Sequence, residues 1–537
     1  MSAISPERLK RAAFPILLAL AFLLLLGMLL RNVDQPLLDR HGTRQVDTAW
    51  VAKGLATGQF SVFRPVFLAH YPDAYGIDGA TETEFMLYPL IVSLLYRLFG
   101  VHEVIARLVA VAFSMGTALW LYLLGREYLD RAAGLLAVLF LSTSPLFVFY
   151  GRSVQPEAAV LFFSVGALCL FTRWLRSEGW AAFVGATALA LCAFLVKIPA
   201  LLIGLPLLVA AWLKYGWALW RQPRLWLFAA LTLIPTAAYY AQAHAIYRAT
   251  GQTIWGLVGG WTGIEQVDLV SNLLSRDFYN MLLVRARNNM FGRWGLMALL
   301  GGLALRPRQH DEATLYAWLG AVVLFVLVFA QKHRQHEYYQ LPLIPVGALF
   351  IGRALSALTH PGNLNLDLLV VRRRLGVLLV AGILALNGRI ALHNLAPMYA
   401  QSAVLLEVAN ATQRLTPPDQ PIVIIHDWAR EGEVFYYAER RGWSIWIVRT
   451  DAGEYGDLIV AERVKTATGW EIPKRLEGDL SRLELLAGQG ASSVVVSLEK
   501  GTRAEFERSP IGRALEARYR RLGANEHWLI YDLRASR

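Results

Sequence analysis

Long runs of apolar residues recur along most of the chain, from residue 14 to about residue 393. A helix that crosses the hydrocarbon core of a bilayer needs about 20 predominantly apolar residues. The pattern therefore predicts a polytopic α-helical membrane protein with about 11 transmembrane helices. The predicted spans are 13–30, 104–124, 132–150, 157–173, 181–196, 199–213, 225–246, 290–305, 313–331, 340–357 and 375–393.

A further apolar run at 85–99 is about fifteen residues long and contains Pro89. This length suits an interfacial or half-buried helix better than a complete span. The assignment matters because one additional span would invert the orientation of everything that follows.

The last part of the chain, 396–537, has charged residues throughout and short runs rich in β-branched and aromatic residues. Such runs predict strands, and the helical pattern at 431–440 lies between two of them. We therefore expect a transmembrane domain over 1–395 followed by a small α/β domain over 396–537. The predicted strands are 422–425, 443–448, 493–497 and 528–531.

Composition supports a membrane protein: 56% of the residues are apolar and only 17% are charged, with a mean hydropathy of +0.41. Soluble domains are typically about 45–50% apolar and about a quarter charged. The net charge of +12 does not indicate nucleic-acid binding, because the basic residues occur in short clusters between apolar runs. Such clusters are typical of cytoplasmic loops.

The distribution of lysine and arginine orients the chain, because these residues accumulate in cytoplasmic loops. A cytoplasmic N-terminus agrees with this rule, and it makes 31–84 a large external loop. The stretch 247–289 and the tail 396–537 are then external as well. The predicted cytoplasmic segments are 1–12, 125–131, 174–180, 214–224, 306–312 and 358–374.

On this topology, five polar elements lie at the external membrane face. Ionisable groups at the membrane are costly and usually functional. Cations there suit a lipid phosphate, and a carboxylate suits the removal of a proton from a sugar hydroxyl. The elements are RQVDTA at 44–49, ETEF at 82–85, RSVQPE at 152–157, Lys197, and KHRQHEYYQ at 332–340.

These motifs, together with Pro199 after Lys197 and Leu87-Tyr88-Pro89 after the ETEF element, resemble the polytopic glycosyltransferases of the GT-C fold, family 39. That family includes protein O-mannosyltransferases, lipid A aminoarabinose transferases and rhizobial lipopolysaccharide galacturonosyltransferases. The resemblance covers roughly 10–395. It implies a bacterial inner (plasma) membrane enzyme with its active site and tail domain on the periplasmic face.

The resemblance also implies roles for individual residues. Asp47 corresponds to the acid of the first external loop that acts as catalytic base or orients the acceptor. Glu157 corresponds to a second acid, where relatives often carry Asp. Many relatives have two adjacent acids in the first loop, whereas here Asp47 is followed by Thr48.

We therefore expect an inverting glycosyltransferase that takes its sugar from a polyprenyl-phosphate donor. The acceptor would be a glycolipid, lipopolysaccharide or other envelope glycan. No cofactor is assigned, a divalent metal is left open, and no metal ligands are named. The expected site residues are Asp47 and Glu157 as catalytic groups, Lys197, Arg44, His336 and Arg334 for the donor phosphate, and Glu84, Gln45, Glu82, Tyr339 and Glu337 lining the site.

Structural interpretations of the same residues remain open. Asp47 could cap a helix that begins near Thr48. Glu157 follows Pro156 and suits the first turn of a helix, and Lys197 could extend from a helix end toward the membrane interface. The main alternative function is a flippase or transporter of lipid-linked sugars, and a scaffold with a binding ectodomain is a third.

Overall fold

In the computed structural model the chain forms two compact units. One contains 1–33, 107–239 and 265–398, and the other contains 34–106, 240–264 and 399–537. The predicted external segments 31–84 and 247–289 lie partly outside the described residues. The described residues are 6–59, 61–70, 80–251, 253, 269–359, 366–428, 430–449, 454–466, 469–478 and 480–536.

Most of the described chain is helical. The α-helices are Pro6–Leu29, Gly42–Thr57, Leu87–Phe99, Glu103–Tyr128, Arg131–Leu141, Pro145–Tyr150, Glu157–Ser177, Trp180–Val196, Gly204–Tyr215, Pro223–Thr250, Leu269–Leu274, Arg276–Arg285, Gly292–Ala304, Ala313–Val328, Ala330–Gln335, Leu343–Thr359, Leu366–Leu395, Ala403–Leu415, Glu431–Ala438, Ser481–Gly488, Arg503–Arg508 and Pro510–Arg518. Short 3₁₀-helices are Ile198–Ile203, Gly216–Arg221, His310–Glu312, Glu337–Gln340 and Ala396–Tyr399, and Ala286–Met290 is a π-helix.

Among the described residues, five helical stretches are long and apolar enough to cross a membrane. They are Glu103–Tyr128, Glu157–Ser177, Ile198–Arg221, His310–Val328 and Arg374–Leu415. Shorter apolar helices are Ala13–Leu29, Leu87–Phe99, Arg131–Leu141, Trp180–Val196 and Leu343–Thr359. The membrane-protein prediction is thereby supported, whereas the number of spans stays a prediction.

Not all predicted spans are continuous α-helices; the span 313–331, for example, is interrupted at Phe329. The span 132–150 is interrupted at Ser144, whose backbone is extended (φ −99°, ψ 106°). The following Pro145 explains the break, because proline disfavours the helical conformation in the residue before it. The span 199–213 begins with the 3₁₀-helix Ile198–Ile203 and becomes α-helical only afterwards.

In the first unit, small residues allow helices to approach closely. The helix Leu343–Thr359 packs against Arg131–Leu141, with Gly352 at the contact. A Cβ atom on Gly352 would collide with the carbonyl oxygen of Ala133. Interhelical contacts in membrane proteins are enriched in such small residues because van der Waals packing holds the helices together.

The second unit is built on a mixed β-sheet, which confirms the prediction of a small α/β domain in the tail. The strands are β1 Ala69–His70, β2 Ile422–His426, β3 Gly442–Arg449, β4 Tyr455–Thr466, β5 Gly469–Gly478, β6 Ser493–Ser497, β7 Tyr519–Ala524 and β8 Trp528–Ser536. All four predicted strands are present, whereas β1, β4, β5 and β7 were not predicted. Over the described residues the order is β5-β4-β3-β2-β6-β8-β7, and β1 also pairs with β3.

Strand β2 lies at the centre of the sheet and is parallel to both β3 and β6. All residues of β2 and β6 are buried, as expected for central strands covered on both faces. This unit also contains 34–106, including the helix Gly42–Thr57, which packs on the helix Glu431–Ala438. Part of the first predicted loop thus belongs to the same compact unit as the tail. The domain boundary expected at 395 stays a prediction about membrane topology.

Candidate functional site

The predicted site residues fall into two groups, one in each compact unit. In the first unit, Lys197 and Glu157 form a buried ion pair with 2.5 Å between Lys197 Nζ and Glu157 Oε1. Glu157 is the first residue of the helix Glu157–Ser177. Lys197 directly follows the helix Trp180–Val196 in an extended conformation. A helix start and a helix end therefore bring the two charges together.

The loop 332–340 supplies aromatic rings to this ion pair. The Lys197 ammonium lies 5.2 Å from the ring centroid of Tyr338 and 4.8 Å from that of Tyr339. His336 stacks on Tyr338 with 5.2 Å between ring centroids. Since aromatic faces attract cations, the two tyrosines help to hold the ammonium beside Glu157.

Glu157, Lys197, Tyr338 and Tyr339 line a groove with a volume of about 690 Å³, part of it open to the surroundings, whereas His336 lies behind Tyr338 and is not part of the lining. Polar groups are concentrated at Glu157, Lys197 and the two tyrosines, and most of the remaining lining is apolar. A lipid with an anionic head group matches this distribution, because the head can meet Lys197 while the chain contacts hydrocarbon side chains. The apolar lining includes Val160, Leu161, Val165, Leu202, Ile203, Trp318, Val322 and Phe325.

Other residues of the loop 332–340 anchor the loop to neighbouring helices without lining the groove. Glu337 accepts hydrogen bonds from the Tyr150 hydroxyl (3.2 Å) and from Asn289 Nδ2 (3.3 Å). Arg334 is exposed, and its guanidinium donates to Asn272 Oδ1 at 3.0 Å. Neither residue lines the groove, so the structure brings Glu157, Lys197 and Tyr339 together there but not Arg334 or Glu337.

The sequence prediction missed several residues that hold this loop. Arg285 donates to the backbone oxygen atoms of His333 (2.5 Å) and Arg334 (3.1 Å). Asn289 belongs to the π-helix Ala286–Met290, and such π-helical turns occur frequently at functional sites. His333 is buried, and burial lowers its pKa to about 3, so the ring is neutral at physiological pH.

In the second unit, Asp47 lies inside the helix Gly42–Thr57. The helix starts five residues before Asp47, so Asp47 is not its N-cap. Arg44, one turn earlier, forms an ion pair with Glu84 at 3.0 Å, and both side chains are buried. Gln45 donates to Asp39 Oδ1 at 2.5 Å. An ion pair and a hydrogen bond within the first predicted external loop therefore hold the residues next to Asp47 in place.

Asp47 differs from its neighbours because no described residue forms a hydrogen bond with its carboxyl. The side chain keeps part of its surface exposed, but the surrounding protein raises its pKa to about 7 by desolvation. The positive charge of Arg44 opposes this shift, and the negative charges of Glu431 and Glu433 add to it. A carboxyl group with a pKa near 7 is well suited to act as a general base.

Glu82 is buried in the same unit, and its Oε1 atom lies 3.5 Å from His244 Nδ1. The tail residues Glu431 and Glu433 carried no motif that sequence reasoning could place. Among the described residues, no group of three or more His, Cys, Asp or Glu side chains is arranged to hold a metal ion.

Comparison with known proteins identifies the fold. Residues 84–240 match the family model for dolichyl-phosphate-mannose-protein mannosyltransferase. An uncharacterized protein of Aquifex aeolicus is 36% identical over 151 residues. That alignment covers 28% of this chain and 32% of the relative, so this chain matches about a third of the length of the relative.

Solved structures agree over nearly the whole chain. ArnT from Cupriavidus metallidurans bound to undecaprenyl phosphate has a TM-score of 0.60 at 15% identity, covering 96% of this chain and 97% of ArnT. The oligosaccharyltransferase AglB of Archaeoglobus fulgidus, in complex with an inhibitory peptide and a dolichol-phosphate, has a TM-score of 0.56 at 14% identity, covering 95% and 73%. The chain is thus a membrane protein with the GT-C fold, as the sequence motifs predicted.

Proposed function

Proceeding from the GT-C fold, we propose that this chain is a membrane glycosyltransferase. It transfers a sugar from a polyprenyl-phosphate donor to a hydroxyl group of an extracytoplasmic glycolipid, lipopolysaccharide or other envelope glycan. ArnT with undecaprenyl phosphate and AglB with dolichol-phosphate support a lipid-linked donor. We place the reaction at the periplasmic face of a bacterial inner membrane, following the charge distribution of the loops.

The groove beside Lys197 is the observation that carries this proposal. Its apolar lining offers a surface for an isoprenoid chain, and Lys197 offers a cation for the phosphate. The ammonium is held between Glu157 and the faces of Tyr338 and Tyr339. A phosphate that enters the groove would compete with Glu157 for Lys197, and the tyrosine faces would keep the ammonium in place.

In the proposed reaction, Asp47 accepts the proton of the acceptor hydroxyl. The acceptor oxygen forms a bond to the anomeric carbon from the side opposite the phosphate, and the bond from that carbon to the phosphate oxygen breaks with inversion. Polyprenyl phosphate leaves without protonation, because the positive charge of Lys197 stabilises it. Arg44 and His336 are further proposed phosphate contacts, and Glu84 and Glu157 are proposed to orient the acceptor.

The decisive test measures transfer by the purified full-length protein in lipid nanodiscs. The substrates are a panel of radiolabelled polyprenyl-phosphate sugars and an envelope extract as acceptor. We expect Asp47→Asn to reduce transfer by a factor of about 10²–10⁴, the usual contribution of a general base. Asp34→Asn makes the same chemical change at an exposed position of the first loop and should retain full activity.

A folded Asp47→Asn variant with full transfer activity would refute the assigned base. The flippase alternative predicts a different result in liposomes: the lipid-linked sugar would cross the bilayer without transfer, and Asp47→Asn would leave that movement unchanged.

A further inference from the structure

The tail domain contacts the helix that carries Asp47 through a buried carboxylate. Thr43 Oγ1 donates a hydrogen bond of 2.6 Å to Glu433 Oε2. Gly42 lies so close that an added Cβ would be 2.5 Å from Glu433 Oε1. Because Gly42 has no side chain and Thr43 provides a hydroxyl donor, the first turn of the helix Gly42–Thr57 can pack directly against Glu433.

Arg430 extends this contact to the chain that leads into the helix. Its Nε donates to Glu433 Oε1 at 2.8 Å, and its guanidinium also donates to the backbone oxygen of Leu38 at 2.7 Å. Glu499 lies 3.4 Å from the same guanidinium. One arginine thus ties Glu433 to the segment that precedes the helix of Asp47.

The contact lies at the edge of the sheet where the parallel strands β2 and β6 end. Arg430 follows strand β2 and Glu499 follows strand β6, two neighbouring parallel strands. In open α/β sheets, the crevice at the carboxyl ends of such strands is where ligands usually bind. Here residues from this edge bind Leu38 and Thr43 of the first loop.

The charges around Asp47 come from three segments. Arg44 lies on its own helix and is paired with Glu84. Glu431 and Glu433 lie on the tail helix, and both raise the pKa of Asp47. Burial raises the pKa of Glu433 itself to about 7, against the opposing effects of Arg430 and of the Thr43 hydrogen bond. Further away, His426 Nε2 lies 3.6 Å from Glu431.

We propose that Glu433 is a positioning residue for Asp47: through Thr43 and Arg430 it fixes the start of the helix that carries Asp47, and its negative charge acts on the Asp47 carboxyl. The tail domain is then part of the catalytic apparatus, although its sequence carries no catalytic motif. This inference rests on the proposed function of Asp47 as the base for sugar transfer.

The test compares pH profiles of transfer for the wild type and for Glu433→Gln. The glutamine can still accept the hydrogen bond from Arg430 through its carbonyl oxygen, and its amide N–H can donate to Thr43 Oγ1, but it lacks the negative charge. Asp47 must be ionised to act, so activity is lost as the pH falls through its pKa. Removing a neighbouring negative charge lowers that pKa, so the acidic limb should move down by roughly half a pH unit or more. The KM for the donor should stay unchanged.

Glu499→Gln is the matched control, because it removes the other carboxylate near Arg430 and should leave the limb in place. Thr43→Val tests the same contact from the other side. Without the hydrogen bond from the Thr43 hydroxyl, the protonated, neutral form of Glu433 is favoured. The acidic limb of the pH profile should therefore move in the same direction as in Glu433→Gln, but by a smaller amount.

A limb that does not move in either Glu433→Gln or Thr43→Val, while Asp47→Asn abolishes transfer, overturns this inference and leaves the proposed function intact. An independent measurement does not require transfer: infrared titration of the protonated Asp47 carboxyl, identified by its loss in Asp47→Asn. The Asp47 band should titrate at lower pH in Glu433→Gln than in wild type, and identical titrations would refute the inference even if no donor were found.

Discussion

Lys197 and Glu157 place two opposite charges inside the first unit, at 2.5 Å from each other and largely shielded from water. Removing one partner of such a buried pair leaves the other charge without compensation. A change at Lys197 should therefore affect folding as well as the proposed donor binding, and the two effects must be separated. The geometry permits this, because both partners can be replaced together by residues of similar size.

We predict that Lys197→Met alone lowers the free energy of unfolding by about 3–5 kcal/mol, the usual cost of breaking a buried pair. The double variant Lys197→Met with Glu157→Gln should recover most of this loss, because no isolated charge remains. It should nevertheless fail to transfer sugar from the polyprenyl-phosphate donor. Thermal unfolding in detergent and the transfer assay provide the two measurements. If the stabilised double variant regained transfer, Lys197 would not be the phosphate contact.

At the level of single residues, the sequence predicts candidate chemical groups but not the residues that hold them in place. Asp47, Lys197 and Tyr339 stand out because polar residues at the edge of apolar runs are unusual. Glu433 gives no such signal, since acidic residues are common in the tail. Its contact with Thr43 joins positions 390 residues apart. No local pattern in the sequence could have indicated it.

At the level of elements, the long apolar runs located most helices of the predicted spans within a few residues, because such runs leave little choice of secondary structure. The errors have local causes. Pro145 interrupts a run that is apolar on both sides, and the π-helix Ala286–Met290 overlaps the first residue of the predicted span 290–305. The strands β4 and β5 contain many charged residues, so they lack the apolar signal that identified β2 and β6.

Close helix contacts permit a prediction at this scale. Gly352→Ala should destabilise the first unit by about 1–3 kcal/mol, the usual cost of inserting an extra methyl group into a packed contact. The new methyl group would press on the backbone of Ala133. Gly382→Ala is the control, because a Cβ there meets no atom within 4 Å and alanine favours helix. Thermal unfolding in detergent should therefore give a lower Tm for the first variant only; equal Tm values would contradict this packing.

For the molecule as a whole, the order of the chain hides how it is assembled. The second unit joins 34–106, 240–264 and 399–537, so residues of the first predicted loop share a core with the tail. Leu38 and Leu68 pack in one apolar cluster with Val408 and Ile424. A boundary drawn from composition cannot reveal this, since hydropathy reports membrane insertion, not contacts between distant segments.

This shared core requires the first loop and the tail to lie on the same side of the membrane, and labelling of single cysteines tests the requirement. Cys169 and Cys192 are first replaced by alanine. In this background Glu526→Cys places a thiol at an exposed position of the tail, and Gln309→Cys places one in a predicted cytoplasmic loop. In spheroplasts, a maleimide that cannot cross membranes should label Glu526→Cys directly and Gln309→Cys only after permeabilisation.

Asp34→Cys in the first loop should behave like Glu526→Cys. The reverse pattern would place Asp47 on the cytoplasmic side and invert the predicted topology, whereas different behaviour of the first-loop and tail positions would contradict their common fold.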